Sequence, residues 1–248
     1  MLKLKDDHKF EQETIIHSRI FRPLAFKIVK YLISKKSRVT PNNITIFRII
    51  LNFIAILLFY FSNNISHVLS AVVLFNLHEL LDHSDGLYAR LTNQQSKTGI
   101  FLEHFFDVTL SSVPGFLGLS IAKSAYNLNG SLTYFAYFIM ICMLSYFTHL
   151  FKWYFIGGKN KEGMRHLDHE SEELIQVKGI EFRSLLKNIL HTMYVWQNQF
   201  LLFGSVLAYI FHGIIDIYEI AFIIVIFLNF MSCIYFALVG LKNTEIFN

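Results

Sequence analysis

The sequence predicts an all-α integral membrane protein, with six transmembrane helices preceded by an amphipathic helix at the membrane surface. Three observations carry that prediction. The chain is 54% hydrophobic, with 26 phenylalanines, and only 16% charged, where a soluble domain is about a quarter charged. Six apolar segments reach or approach the roughly 20 residues that a helix needs to cross the hydrocarbon core. Finally, the basic residues fall almost entirely on one side of the alternating topology those segments define.

Taken in order, Met1 to Glu13 is polar and mixed in charge, which argues against a secretory signal peptide. Phe21, Leu24, Ala25, Ile28, Leu32 and Ile33 then recur at helical spacing, with Arg22, Lys27, Lys30, Lys35 and Lys36 mostly between them. That pattern suits a helix lying among anionic headgroups. Residues 1–39 therefore read as a cytoplasmic segment, and residues 40–248 as the membrane domain. Thr40-Pro41-Asn42 starts a new helix, with Thr or Asn as cap and Pro setting the first turn.

The spans fall near Ile44–Phe61, Val68–Leu81, Gly99–Ala122, Leu132–Phe155, Leu190–Phe211 and Tyr218–Leu241. The second reaches full length only if its helix continues through the acidic stretch to Arg90. With both termini cytoplasmic, 21 of the 22 Lys and Arg residues lie inside and only Lys123 outside, as the positive-inside rule requires. A polar cytoplasmic excursion spans about Gly157 to Lys187 and contains the acidic run Asp168 to Glu173. Trp153, Tyr154 and Trp196 read as interface anchors. Cys142 and Cys233 lie in apolar runs and read as small buried residues rather than a disulfide or zinc framework. No internal repeat or low-complexity tract interrupts the chain.

Candidate chemistry is concentrated near the cytoplasmic ends of spans two and three. Asp82 and Asp85, at i and i+3, share one helix face; Glu103 and Asp107, at i and i+4, share another. The polar connection from Leu91 to Thr98 allows the two helices to run antiparallel with these faces opposed. Carboxylates converging near a membrane repel one another unless a cation lies between them. An oxygen-only set favours Mg²⁺, with Mn²⁺ or Ca²⁺ able to substitute. Gly86, Ala89 and Gly99 leave a small-residue slot beside the acids, although close helix packing would also select them. A metal pair beside such a slot suits a nucleotide diphosphate.

The run Asp82-x2-Asp85-Gly86-x2-Ala89-Arg90, then eight residues, then Gly99-x3-Glu103-x3-Asp107 resembles the signature of the CDP-alcohol phosphotransferase family. Every spacing agrees, and seven of the eight motif positions agree in identity; Glu103 stands where the family has aspartate. Thr40-Pro41-Asn42-Asn43-Ile44-Thr45, followed by Arg48, is also similar to the start of the family's first membrane helix.

The resemblance implies transfer of a substituted phosphoryl group from a CDP-linked alcohol to a second alcohol, with release of CMP. CDP-diacylglycerol is the expected donor, in phospholipid synthesis; the reverse arrangement pairs a soluble CDP-alcohol with a lipid acceptor. By position, Asp82, Asp85 and Glu103 would hold Mg²⁺, in a pair of ions. Asp107 would lie near the same ions and take the proton from the acceptor hydroxyl. Gly86, Ala89 and Gly99 would line the cytidine slot, and Arg90 would help hold the motif. The extra methylene of Glu103 is expected to alter metal spacing or substrate more than to abolish activity. The resemblance also suggests a homodimer, with Gly115, Gly118 and Ser145 on the outer surface of spans three and four, and gives nucleic acid no role.

Two further classes would use the same acids. A homologue could bind nucleotide or lipid without turnover, and a cation transporter could use them as an ion path. Against transport, the four acids cluster at one membrane face, and no matching polar residues continue through spans five and six. His78 and His104, beside the cluster, are expected to face a hydrated cavity. Lys152, Lys159, Lys161 and Arg165 suit either an acceptor phosphate or positive-inside topology.

Overall fold

The computed structural model describes residues 20–35, 38–155 and 197–245. Every regular element among them is helical. In chain order these are α1 (Arg22–Ser34), α2 (Pro41–Tyr60), α3 (Ile65–Leu91), α4 (Lys97–Phe106), a π-helical turn (Asp107–Ser111), α5 (Phe116–Asn129), α6 (Thr133–Phe155), α7 (197–210) and α8 (Ile217–Glu245). Five stretches are long and apolar enough to cross a membrane: Pro41–Tyr60, Ile65–Leu91, Lys97–Asn129, Thr133–Leu150 and Ile217–Tyr235. The expected fifth span is described only from residue 197 onward, where it is helical to residue 210.

Local chemistry explains the helix boundaries. Thr40 caps α2 by accepting from the Asn43 N–H at 3.3 Å, with Pro41 at the first turn, as the sequence predicts. Asn64 caps α3 by accepting from the His67 N–H at 3.0 Å. Helix α3 then runs unbroken for 27 residues through the acidic stretch. At 1.5 Å per residue that is about 40 Å, longer than a hydrocarbon core of roughly 30 Å. Its acidic end can therefore reach the headgroup region while its N-terminal half is embedded. Asn93 takes a positive φ of 55° in the turn that follows, a conformation asparagine tolerates better than most residues.

The third span departs from expectation. Gly99–Ala122 reads as one continuous helix, but the structure breaks it between the π turn and α5, over Ser112 to Gly115. Pro114 is the physical reason: it has no N–H to continue the ladder, and the backbone is already extended at Ser112, two residues before it. Thr109 and Ser112 donate back to the Phe105 and Val108 carbonyls, each at 2.7 Å, while Cys142 Sγ donates to the Pro114 carbonyl at 3.4 Å. The start of α5 folds tightly over the break. A Cβ on Gly118 would lie 1.8 Å from the Val113 carbonyl oxygen, and one on Gly115 would lie 2.4 Å from that of Thr109. Both glycines serve a contact within the chain; Gly118 is buried rather than on the outer surface expected for a dimer, and Gly115 is half-buried. Ser145 is also buried, donating to Asn229 Oδ1 at 2.9 Å.

Helix α2 packs most extensively on α3, and α6 on α8, with α5 bridging α2 and α6. Their shared core includes Phe59, Phe75, Leu117, Ile121, Tyr134, Ile141, Tyr218 and Phe222. Helix α1 docks on α3 through buried Ala25 and Val29, leaving Leu24 exposed. Its inward face therefore centres on Ala25 and Val29 rather than on all the apolar positions of the sequence pattern. Outside the core, large apolar side chains point outward along whole helices: Phe47, Ile50, Phe53 and Leu57 on α2, and Leu69, Val73 and Leu77 on α3. Such continuous apolar faces exceed what water tolerates on a monomer and suit lipid. Polar groups inside the bundle pair across helices. Ser62, Ser124 and Tyr218 form one chain, at 2.6 and 2.8 Å, and Tyr134 donates to Asp216.

Candidate functional site

The site forms where the C-terminal half of α3, α4 and the π turn meet the first turns of α2. Oxygen atoms of Asp82, Glu103 and Asp107 all lie within 4.8 Å of one another. Sequence spacing put Asp82 on one face and Glu103 and Asp107 on another, and the turn after α3 brings the two faces together.

Arg48 sits beneath them and is fully buried. Its Nε donates to Asp85 Oδ2 at 3.0 Å and its Nη1 to Asp107 Oδ1 at 2.9 Å. Its Nη2 lies 3.0 Å from Asp82 Oδ1. One planar guanidinium thus faces three of the four predicted carboxylates, a geometry that lysine cannot copy. Thr45, one turn earlier on α2, donates to Asp85 Oδ2 at 2.6 Å. Asp85 is therefore drawn toward α2, while Asp82 and Asp107 keep 25% and 39% of their side chains exposed. The acids are open on one side and clamped by cationic and hydroxyl donors on the other.

The contact between Arg48 and Asp82 differs from the other two. Although 3.0 Å apart, Arg48 Nη2 and Asp82 Oδ1 are misaligned, and both are buried without a hydrogen bond. Asp82, Glu103 and Asp107 together offer an oxygen-only donor set of a size that fits a divalent cation. Arg48 brings one positive charge to a set of four acids, so a cation would also relieve the repulsion that remains.

The small-residue positions border this cluster. A Cβ on Gly86 would come within 3.2 Å of Arg90 Nη1, and one on Gly99 within 3.1 Å of Asn42 Oδ1 and Ser96 Oγ. Ser96 Oγ in turn accepts from the Gly99 N–H at 3.0 Å. The Gly99 side of α4 therefore rests on the Asn42 stretch at the start of α2. Ala89 lies between the two glycine-bearing segments and is half-buried.

His78 corrects its expectation. It is buried, not open to a hydrated cavity: Nδ1 pairs with the Arg48 carbonyl at 3.1 Å and Nε2 with Ser111 Oγ at 3.0 Å. The backbone places His104 on α4 and Lys152, Trp153 and Tyr154 on α6. Lys159, Lys161, Arg165, Trp196 and the 157–187 excursion lie outside the described residues, as does the 1–19 segment.

Several contributors were not read from the sequence. Arg48 was noted only as part of the stretch that opens α2; its partners lie 34 to 59 positions away and meet it only through packing. Thr45 belongs to the same stretch as Arg48, while Asn52, Ser111 and Asn198 have no local signal. Glu79 did carry one: it stands to Asp82 as Asp82 stands to Asp85.

Comparison with protein families matches the model described as CDP-alcohol phosphatidyltransferase to residues 38–162, half of the chain. Comparison with curated proteins gives no match.

Proposed function

Because the chain belongs to the CDP-alcohol phosphatidyltransferase family, we propose that its acidic cluster catalyses metal-dependent phosphatidyl transfer from CDP-diacylglycerol to an alcohol acceptor, releasing CMP. The observation that carries this reading is the convergence of Asp82, Glu103 and Asp107 within 4.8 Å, above a buried Arg48, on helices that otherwise face lipid.

Asp82, Glu103 and Asp107 would hold Mg²⁺, with Asp85 as the fourth acid of a site that would take a pair of ions; Mn²⁺ would substitute. When bound, the cation would neutralise the diphosphate and stabilise the charge on the departing CMP. The protein's own groups account for the remaining steps. Asp107 accepts the proton of the acceptor hydroxyl as its oxygen attacks the phosphorus distal to cytidine. A new phosphorus–oxygen bond forms, the bond to CMP breaks, and CMP leaves with the electron pair. Arg48 keeps Asp107 and Asp85 oriented, while Gly86, Ala89 and Gly99 give the cytidine moiety room against the backbone and Arg90 steadies the motif.

A lipid-linked donor is supported by the outer face of α4 and the π turn. Phe101 and Val108 are each 64% exposed, and Phe101 stacks on Phe105 with ring centroids 5.8 Å apart. That apolar strip runs beside Glu103 and Asp107, where acyl chains can lie while the diphosphate meets the acids. The same reading places six spans in the membrane, with both termini and the cluster on the cytoplasmic side, α1 in the headgroup layer, and the chain as a homodimer.

The test is CMP release by purified protein in lipid nanodiscs, with Mg²⁺ or EDTA, CDP-diacylglycerol or soluble CDP-alcohols, and a panel of acceptor alcohols. Mg²⁺-dependent CMP from CDP-diacylglycerol is the expected outcome. CMP only from a soluble CDP-alcohol with diacylglycerol would reverse the donor assignment, and release in none of the conditions would refute the reaction.

A further inference from the structure

Ser111, the last residue of the π turn that begins at Asp107, is held by side chains from three other helices. Asn52 Nδ2 of α2 donates to its Oγ at 2.8 Å, its Oγ pairs with His78 Nε2 of α3 at 3.0 Å, and Asn198 Nδ2 of α7 donates to its carbonyl at 2.9 Å. Asn52, His78 and Ser111 are all buried, none more than 6% exposed.

The donors and acceptors fix the direction of this chain. The Arg48 carbonyl can only accept, so His78 Nδ1 carries a proton and donates to it. In the neutral imidazole a proton on Nδ1 leaves Nε2 as an acceptor, so Ser111 Oγ, which accepts from Asn52, gives its single proton to His78 Nε2. The chain then runs Asn52 to Ser111 to His78 to the Arg48 backbone, while Asn52 Oδ1 is buried without a hydrogen bond. Its two ends matter because Arg48 Nη1 and Asp107 Oδ1 are themselves bonded at 2.9 Å. The same imidazole thus ties the backbone of Arg48 to the end of the turn that presents Asp107. π turns are rare in helices and frequent at functional sites. This one carries i to i+5 backbone bonds in place of the α-helical ladder and is fastened from outside as well.

We infer that His78 is a positioning residue: through the Asn52–Ser111–His78 chain it locks the Asp107 turn to Arg48, fixing where the proton-accepting carboxylate stands. The inference rests on the proposed reaction, in which Asp107 takes the acceptor proton, and neither His78 nor Ser111 touches substrate. Displacement of a reacting group by about 1 Å costs on the order of 10²-fold in rate.

The experiment uses the full chain in nanodiscs. His78→Phe removes both hydrogen bonds but keeps a ring against Phe75, whose centroid lies 5.5 Å from that of His78. Ser111→Ala removes the hydroxyl, and Ser111→Thr restores it. In the first two variants kcat should fall roughly 10- to 100-fold, while KM for the CDP donor stays within about twofold; Ser111→Thr should recover most of the loss. Amide hydrogen exchange provides a readout independent of turnover, with protection of residues 107–111 falling and that of α6 and α8 unchanged. Unchanged kcat in both variants would overturn the inference, as would equal loss of kcat, donor binding and protection across the whole chain. If His78→Phe does not fold, the Ser111 pair decides by the same criteria. If the wild type releases no CMP from any donor, the proposed reaction fails, and the exchange comparison alone decides the clamp. Loss of protection confined to 107–111 upholds it, and no change overturns it.

Discussion

Replacing Arg48 with methionine would remove a cation that reaches three acids from below while leaving a side chain of similar length to fill the space. Arg48 makes two aligned, charge-assisted hydrogen bonds at 3.0 and 2.9 Å and a third, misaligned contact at 3.0 Å. Hydrogen bonds to charged groups contribute about 1.5–3 kcal/mol each, so the two aligned bonds account for about 3–6 kcal/mol. Breaking a buried ion pair by deleting one partner costs about 3–5 kcal/mol, which agrees. At roughly 2–4 °C per kcal/mol for a chain of this size, Arg48→Met should lower the midpoint of thermal inactivation by roughly 6–20 °C. Part of the loss should return with Mg²⁺, because a cation bound among the acids relieves the same repulsion. Arg48→Lys should recover little, since one ammonium cannot face three carboxylates in a fixed fork. The assay is a thermal-shift series in mild detergent, with and without Mg²⁺. A midpoint for Arg48→Met equal to wild type in EDTA would refute the assignment of Arg48 as the counter-charge of the cluster.

Three further outcomes follow from named contacts. Asp107→Asn keeps shape but loses the proton acceptor, so CMP release should drop by about 10² to 10⁴ while metal-dependent donor binding persists in part; unchanged turnover would sink the base assignment. Glu103→Asp shortens the acid by one methylene and should leave an active enzyme with a changed Mg²⁺-to-Mn²⁺ preference, read from CMP release in each metal; complete inactivity would contradict it. Gly118→Ala places a methyl 1.8 Å from the Val113 carbonyl oxygen, so it should destabilise the chain by at least the 1–3 kcal/mol or so typical of overpacking. A thermal midpoint unchanged by that substitution would contradict the tight break before α5.

Much of the architecture was legible because it depends on local chemistry and periodicity. Thr40 and Pro41 announce the start of α2, and the short apolar count of Val68–Leu81 already required α3 to continue through Asp82 and Asp85. The i, i+3 and i, i+4 spacings placed the acids on two faces. The break in the third span was missed because an apolar run from Phe101 to Ala122 reads as one helix, although Pro114 and the serines before it carried the contrary signal. The π turn has no sequence signature, since i to i+5 bonding changes no composition. Gly115 and Gly118 look like small residues for an intermolecular contact, and only coordinates show the carbonyls they accommodate. The role of Arg48 was illegible for a different reason: its value lies in partners from α3 and the π turn, and no local rule links positions that far apart. His78 was misjudged because a histidine beside acids in a membrane usually faces water, whereas here a carbonyl and a hydroxyl satisfy both ring nitrogens.

The measurement closest to the central claim is calorimetric titration of CDP-diacylglycerol into the wild-type protein in nanodiscs, once with Mg²⁺ and once with EDTA, with Asp82→Asn measured alongside. If Asp82, Glu103 and Asp107 hold a divalent cation for the diphosphate, binding should be measurable with Mg²⁺, absent in EDTA, and weakened in Asp82→Asn even with the metal present. Equal donor affinity in EDTA and in Mg²⁺ would contradict the account.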